Sequence, residues 1–140
     1  MPKLFDTKNG EIYVDEHMVL RQNSTPHELE KEGVVFNREI DMKTGWVFRT
    51  TGPHVLSGRS ANLSLGFLGG SLRKVSFAFA DKTTINSDDL HRMQNQVLIQ
   101  ELGTPDSQND RQIIYRFAWG EIASETDPRG GACNIIISWS

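Results

Sequence analysis

The sequence predicts an α+β fold in which a mostly antiparallel β-sheet is packed on one face by a long amphipathic helix. Segments of alternating or continuous apolar residues, separated by turn residues, recur along most of the chain and are typical of strands. Residues 88–102 instead repeat apolar side chains at helical spacing. Because an apolar stripe on a helix must be covered, we expect this helix to lie on the sheet.

The chain opens with a predicted hairpin. Residues 4–7 and 11–16 are strand-like and flank Asn9-Gly10, a pair that tolerates the positive φ angles of a tight turn. A short apolar stretch at 18–20 follows and is predicted to continue as a strand.

A short helix is predicted at about residues 25–32. Thr25 is placed to cap it, Pro26 falls at the first helical position and Glu28 at the third, which is the pattern of a capping box. Gly33 supplies the stop.

Residues 34–40 and 46–51 are predicted to form a second hairpin, and residues 51–61 the longest loop of the protein. Loops held by a rigid scaffold often carry function, so this one is the first place to look for a site. The residues singled out there are His54, Ser57, Arg59 and Ser60. A plain surface connection is the alternative.

Two alternating segments, 62–67 and 72–81, predict half-buried strands that precede the long helix. Ser87 is predicted to cap that helix, with Asp88 and Asp89 in its first turn, where acidic side chains favour the helix dipole. Its apolar stripe consists of Leu90, Met93, Val97, Leu98 and Leu102.

The last 29 residues are interpreted as two strands, 112–119 and 132–139, around one loop that contains the turn-forming run 127–131. We expect Trp46 and Trp119 to finish the core and Trp139 to lie half-exposed at its edge.

Length and composition predict one globular domain over residues 1–140, with no secretory signal and a cytoplasmic location. Cys133 is the only cysteine, so no intramolecular disulfide can form. The four histidines are scattered, and no nucleophile, phosphate loop or dinucleotide motif is present. We therefore expect no catalytic residues, no metal and no cofactor.

Charge is segregated along the chain, although its net value is only −3. Residues 1–32 carry 4 basic and 7 acidic side chains, and residues 81–110 carry 2 and 6. The net charge argues against nucleic acid as the partner, and no apolar run is long enough for a membrane. An acidic face would instead steer a basic protein partner, while a solvated surface is the simpler alternative.

The C-terminal half resembles small bacterial immunity proteins of contact-dependent growth inhibition and polymorphic toxin systems. The residues that carry the resemblance are Leu102-Gly103-Thr104-Pro105, Phe117-Ala118-Trp119-Gly120-Glu121-Ile122, Asp127-Pro128-Arg129-Gly130-Gly131 and Ile135-Ile136-Ile137. These motifs are a helix stop, a strand end and a turn, so they imply a class of protein and no binding residues.

The first functional hypothesis is therefore a non-catalytic, cytoplasmic immunity protein that binds a cognate toxin domain, for example a nuclease, through its acidic surface. The candidate partner-binding residues are Glu28, Glu30, Asp88, Asp89 and Glu101. The alternative is a small enzyme or ligand-binding domain that uses the 51–61 loop. A third hypothesis, a subunit of an assembly, predicts a stable homo-oligomer.

Overall fold

The computed structural model describes residues 4–15, 18–79, 87–127 and 132–140, which form a three-stranded sheet, an eight-stranded sheet and two helices. The elements are β1 Phe5–Asp6, β2 Glu11–Val14, β3 Met18–Leu20, α1 Pro26–Lys31, β4 Phe36–Asp41, β5 Trp46–Leu56, β6 Arg59–Leu68, β7 Ser71–Phe79, α2 Ser87–Leu102, β8 Ser107–Gln108, β9 Gln112–Phe117, β10 Gly120–Asp127 and β11 Ala132–Trp139. All strand pairs in these residues are antiparallel, so the α+β class and the mostly antiparallel sheet are confirmed.

The short helix α1 forms where the capping pattern predicts it. The Thr25 hydroxyl accepts a hydrogen bond from the Glu28 N–H at 3.2 Å, and Pro26 occupies the first helical position. Leu29, which is 1% exposed, anchors the helix in the core. Local capping chemistry thus determines this element.

The long helix α2 spans nearly the predicted residues and contacts β7, β10 and β11, but the amphipathic character predicted for it is not borne out. Leu98 is fully buried, yet the polar Gln94 is equally buried and the apolar Ile99 is 42% exposed. The hydrogen bond from the Phe79 N–H to Gln94 Oε1, 3.0 Å long, offsets part of the cost of burying this amide. No helix in the described part of the chain is long and apolar enough to cross a membrane.

The large sheet has the strand order β4-β5-β6-β7-β11-β10-β9-β8. Strand β10 lies between β9 and β11, so the prediction of a single loop from 120 to 131 is wrong for residues 120–127. Its inward positions include Ser124, which is fully buried, and this weakens the apolar alternation that would have revealed the strand. The predicted turn at 128–131 lies outside the described residues.

The predicted loop at 51–61 is also wrong, because β5 and β6 continue through it as a hairpin closed by a turn at Ser57-Gly58. The pairing register shifts between Thr51 and His54, at Gly52-Pro53. Proline, glycine and serine in this segment therefore mark an irregularity within a strand pair and not the end of the strands.

The register divides the large sheet into two faces. The core face carries buried apolar side chains that include Leu63, Leu65, Val75, Phe77, Ile135 and Ile137. They form one cluster with Leu29 of α1, Leu98 of α2 and Ile12, Val14 and Leu20 of the small sheet. These three elements therefore cover the core face.

The opposite face, which we call the open face, is only partly buried. Its members include Ile40, Trp46, Phe48, Ser64, Gly66, Leu68, Lys74, Ser76, Ala123, Ile136 and Ser138. Gly66 and Ala123 alone among these eleven are buried, and Ile40 is 45% exposed. A half-buried row across a wide sheet indicates that no second layer of the described chain covers it.

The N-terminal hairpin forms around Asn9-Gly10 as predicted and is held by two tryptophans. The indole N–H of Trp119 donates to the Thr7 carbonyl and that of Trp139 to the Gly10 carbonyl, each at 2.7 Å. Trp139 is 4% exposed, so its predicted edge position is wrong. The prediction that Trp46 lies in the core is also wrong, because Trp46 lies half-buried on the open face.

Candidate functional site

The residues predicted for a site in the 51–61 segment do not converge. The Arg59 guanidinium lies 6.0 Å from the centre of the Phe79 ring, while Ser57 lies in the turn with φ +51°. The His54 ring is only 13% exposed and points to other partners. The hairpin thus disperses the polar groups that a loop would have been free to gather.

His54 instead links two side chains in the order acid, imidazole, hydroxyl. Its Nδ1 lies 2.5 Å from Asp15 Oδ2, and its Nε2 lies 2.9 Å from Thr51 Oγ1. Hydrolase triads use this order to activate a hydroxyl. However, Thr51 is 2% exposed and its hydroxyl donates to the Val35 carbonyl at 2.8 Å, so substrate has no route to the oxygen.

This Asp15–His54–Thr51 chain has a clear structural task. Asp15 Oδ1 accepts the Val55 N–H at 2.6 Å, and the Asp15 N–H donates to the Val55 carbonyl at 2.8 Å. The contacts therefore tie the end of β2 to β5, that is, the small sheet to the large one.

The five acidic residues predicted to bind a partner lie in separate places. Glu28 and Glu30 are exposed on α1, whereas Asp89 lies at the start of α2 with its carboxylate 4.0 Å from Arg92. The structure does not describe the side chain of Asp88. Glu101, near the other end of α2, accepts the backbone N–H groups of Leu4 at 2.8 Å and Phe5 at 3.2 Å.

Asp89 and Glu101 are twelve positions apart on the helix, which is about 18 Å along the axis. Of the four predicted residues whose side chains the structure describes, only Glu28 and Glu30 therefore lie close together, while Glu101 holds β1. Whether these residues contact a partner stays a prediction.

A charged cluster that the sequence did not reveal lies beside strand β4. Arg49 of β5 bridges Glu30 at 3.5 Å and Glu39 at 2.9 Å, and its guanidinium lies 5.2 Å from the centre of the Phe36 ring. A cleft of about 290 Å³ follows this edge, lined by Phe36, Asn37, Arg38, Glu39 and Arg49. In the sequence, Arg49 indicates this cluster, because it is a charged residue at an inward position of its strand.

An aromatic patch occupies the neighbouring part of the open face. The rings of Trp46 and Phe48 stack with centroids 5.7 Å apart and planes at 11°. They lie over Gly66, where a Cβ atom would come within 2.8 Å of the Phe48 ring. Ile40 and Leu68 add exposed apolar surface. Partly exposed aromatic residues of this kind are enriched at protein interfaces.

Among the described residues no group of three metal-ligating side chains converges. Burial raises the pKa of the Tyr115 phenol above 10.0, and the nearby negative charge of Asp106 raises this pKa further. The phenol donates to the Gly103 carbonyl at 2.6 Å, just beyond the end of α2.

Tyr115 predicts a loss of stability at alkaline pH. Above pH 10 the unfolded chain releases the phenolic proton while the folded chain keeps it, so the free energy of unfolding falls as pH rises. Tyr115→Phe is expected to cost about 1 kcal/mol at neutral pH through the lost hydrogen bond, and to flatten the alkaline decline. Urea unfolding between about pH 8 and pH 11 measures both effects. An equal alkaline slope in the variant would contradict the assignment, and Tyr13→Phe is the matched control.

No protein-family model matches the chain, and no curated protein matches it in sequence. Its fold is similar to that of a chain in the solved structure described as "Rhs1-CT in complex with cognate immunity protein RhsI1". The similarity covers 96% of this chain and 85% of that chain, with a TM-score of 0.56 and 14% sequence identity. At this identity the likeness shows a common fold.

Proposed function

We propose that this protein is an immunity protein that neutralises a cognate bacterial toxin domain by binding it directly, without catalysis and without a cofactor. The observation that carries the proposal is the likeness of nearly the whole fold to a chain of a complex that contains a cognate immunity protein. The independent resemblance of the C-terminal half to immunity proteins supports the same class. We propose the cytoplasm as its location and a contact-dependent or polymorphic toxin system as its context.

The surface of the protein supports a protein partner. The open face presents stacked aromatic rings beside exposed apolar residues, which is the composition of an interface core. Glu28 and Glu30 on α1 and Asp89 at the start of α2 lie outside this patch, where charges act mainly on the rate of association. This division of roles fits a binding protein whose partner is basic.

The proposal predicts growth rescue. The protein expressed alone in bacteria should leave growth unchanged, and its co-expression with toxin domains encoded beside its gene should restore growth that the toxin alone arrests. Because the similar complex contains two kinds of protein, growth arrest by the protein alone would overturn the proposal and favour a toxin. Failure to rescue from every adjacent toxin domain would also overturn it.

The charge variants refine this experiment once a toxin domain is found. Glu28→Lys, Glu30→Lys, Asp88→Lys and Asp89→Lys together should slow association, by about tenfold or more at low salt, and weaken its salt dependence. Surface plasmon resonance at two salt concentrations measures the rate. Glu101 is left unchanged in this set because its carboxylate holds β1. An unchanged association rate would remove these residues from the interface.

A further inference from the structure

We infer that the free edge of strand β4 binds an extended strand of the partner protein, one with basic side chains on one face and apolar side chains on the other. This inference rests on the proposed function, because it names the contact surface of that binding. Strand β4 ends the large sheet, and within the described residues only β5 pairs with it. Extended segments add to such edges through main-chain hydrogen bonds.

The backbone of β4 has groups aimed at such a partner. The Met42 N–H donates to the Trp46 carbonyl at 3.0 Å, which fixes the alternation of the antiparallel pair. Counting back along β4, Ile40 and Arg38 exchange hydrogen bonds with β5, while the N–H and C=O groups of Glu39 and Asp41 point away from the sheet. These are the groups that an added strand would satisfy.

The side chains at the same positions set the charge of the partner strand. Glu39 and Asp41 project toward the face that also carries Glu30 and Arg49. These three carboxylates and one guanidinium leave a net charge of −2 on this face of the edge, while Arg38 lies on the opposite face. Residues directly opposite each other on paired strands interact, so lysine or arginine is favoured opposite Glu39 and Asp41.

The other face of the added strand would continue the open face. Ile40 is paired with Phe48 and lies beside the Trp46 and Phe48 stack. Because Ile40 is 45% exposed, an apolar side chain next to it would remove hydrophobic surface from water on both partners. The expected partner strand therefore alternates basic and apolar residues.

A second copy of this chain does not have the required pattern. Antiparallel pairing of two β4 edges about a two-fold axis sets Glu39 opposite Glu39, or Glu39 opposite Asp41, or Arg38 opposite Arg38, depending on register. Like charges directly opposite each other destabilise a strand pair. The edge is thus protected against self-association and open to a complementary strand.

The test uses two labelled eight-residue peptides, one alternating lysine with valine and one alternating glutamate with valine, titrated into the full chain. We expect the lysine peptide to bind more tightly and to shift the backbone amide resonances of Glu39 and Asp41 most. Glu39→Pro removes the outward N–H and should weaken this binding at least about tenfold. Glu39→Ala is the matched control, which loses the charge but keeps the N–H, and should weaken binding only a few-fold.

Equal binding of the two peptides, equal binding by Glu39→Pro and Glu39→Ala, or shifts centred on other strands would overturn the inference. If Glu39→Pro loses its circular dichroism signal, the test uses instead a lysine peptide methylated at alternate backbone nitrogens, which cannot donate main-chain hydrogen bonds there. Unchanged binding of this methylated peptide would also overturn the inference. Undiminished growth rescue by a folded Glu39→Pro variant would refute strand binding at the β4 edge, but it would not contradict the proposed immunity function. Peptide binding at β4 without rescue from any toxin would refute the proposed immunity function, but it would not contradict strand binding at the β4 edge.

Discussion

Replacement of Trp139 by alanine is expected to lower the free energy of unfolding by about 3–5 kcal/mol, as large aromatic truncations in cores do. The side chain is 4% exposed and belongs to the cluster that joins both sheets. Its indole N–H also donates to the Gly10 carbonyl at 2.7 Å, so the substitution removes the anchor of the N-terminal hairpin turn. Urea denaturation followed by circular dichroism measures the loss.

Two further variants separate packing from the hydrogen bond. Trp139→Phe keeps much of the ring but leaves the Gly10 carbonyl without its donor, and should cost about 1–3 kcal/mol. Trp119→Ala removes a ring that is only partly buried and stacked on Phe117, so its cost should be lower than that of Trp139→Ala. A larger loss for Trp119→Ala would show that the hairpin depends on Trp119 instead.

The parts of the fold that the sequence predicts are those determined by neighbouring residues. Gly10 supplies the positive φ of the first hairpin turn, +70°, and its N–H donates to the Asp6 carbonyl at 2.8 Å. Thr25 and Pro26 start α1 through a cap that needs no distant partner. The alternation in β6 and β7 places Leu63, Leu65 and Phe77 in the core as the period of a strand requires.

The parts that the sequence does not predict depend on contacts between distant residues. Strand β10 is held by two neighbours, so it tolerates a buried serine at position 124. The pair Gly52-Pro53 is accommodated inside a hairpin because the ladder resumes at His54. Which face each tryptophan occupies follows from the strand register, and local sequence does not fix the register.

The candidate site likewise has features that the sequence predicts and features that depend on contacts between distant residues. Acidic composition identified Glu28 and Glu30, which are exposed on one helix. It did not reveal that Glu101 caps the backbone of β1, a contact 97 residues away in sequence. The edge cluster of Glu30, Arg49 and Glu39 needs the packing of α1 on the sheet and the pairing of β4 with β5. Charge along a chain therefore indicates the kind of partner better than the place of contact.

Replacement of Asp15 by alanine is expected to be the second large loss, about 2–4 kcal/mol in the free energy of unfolding. Its carboxylate accepts from Val55 N–H and pairs with His54, so the substitution leaves both groups without this partner. Asp15 also adopts φ +54°, a region that aspartate and asparagine tolerate better than alanine. Thermal and urea unfolding measure the effect.

Asp15→Asn is the matched control, since it keeps an oxygen for Val55 and a residue suited to positive φ, and should recover more than half of the loss. Thr51→Val gives a second control at the other end of the chain of contacts, because it removes the hydroxyl and preserves the shape. If the three residues act structurally, rescue of growth should fall only in step with the amount of folded protein in the cell. Loss of rescue at unchanged protein level in Thr51→Val would instead assign the hydroxyl a direct role in function.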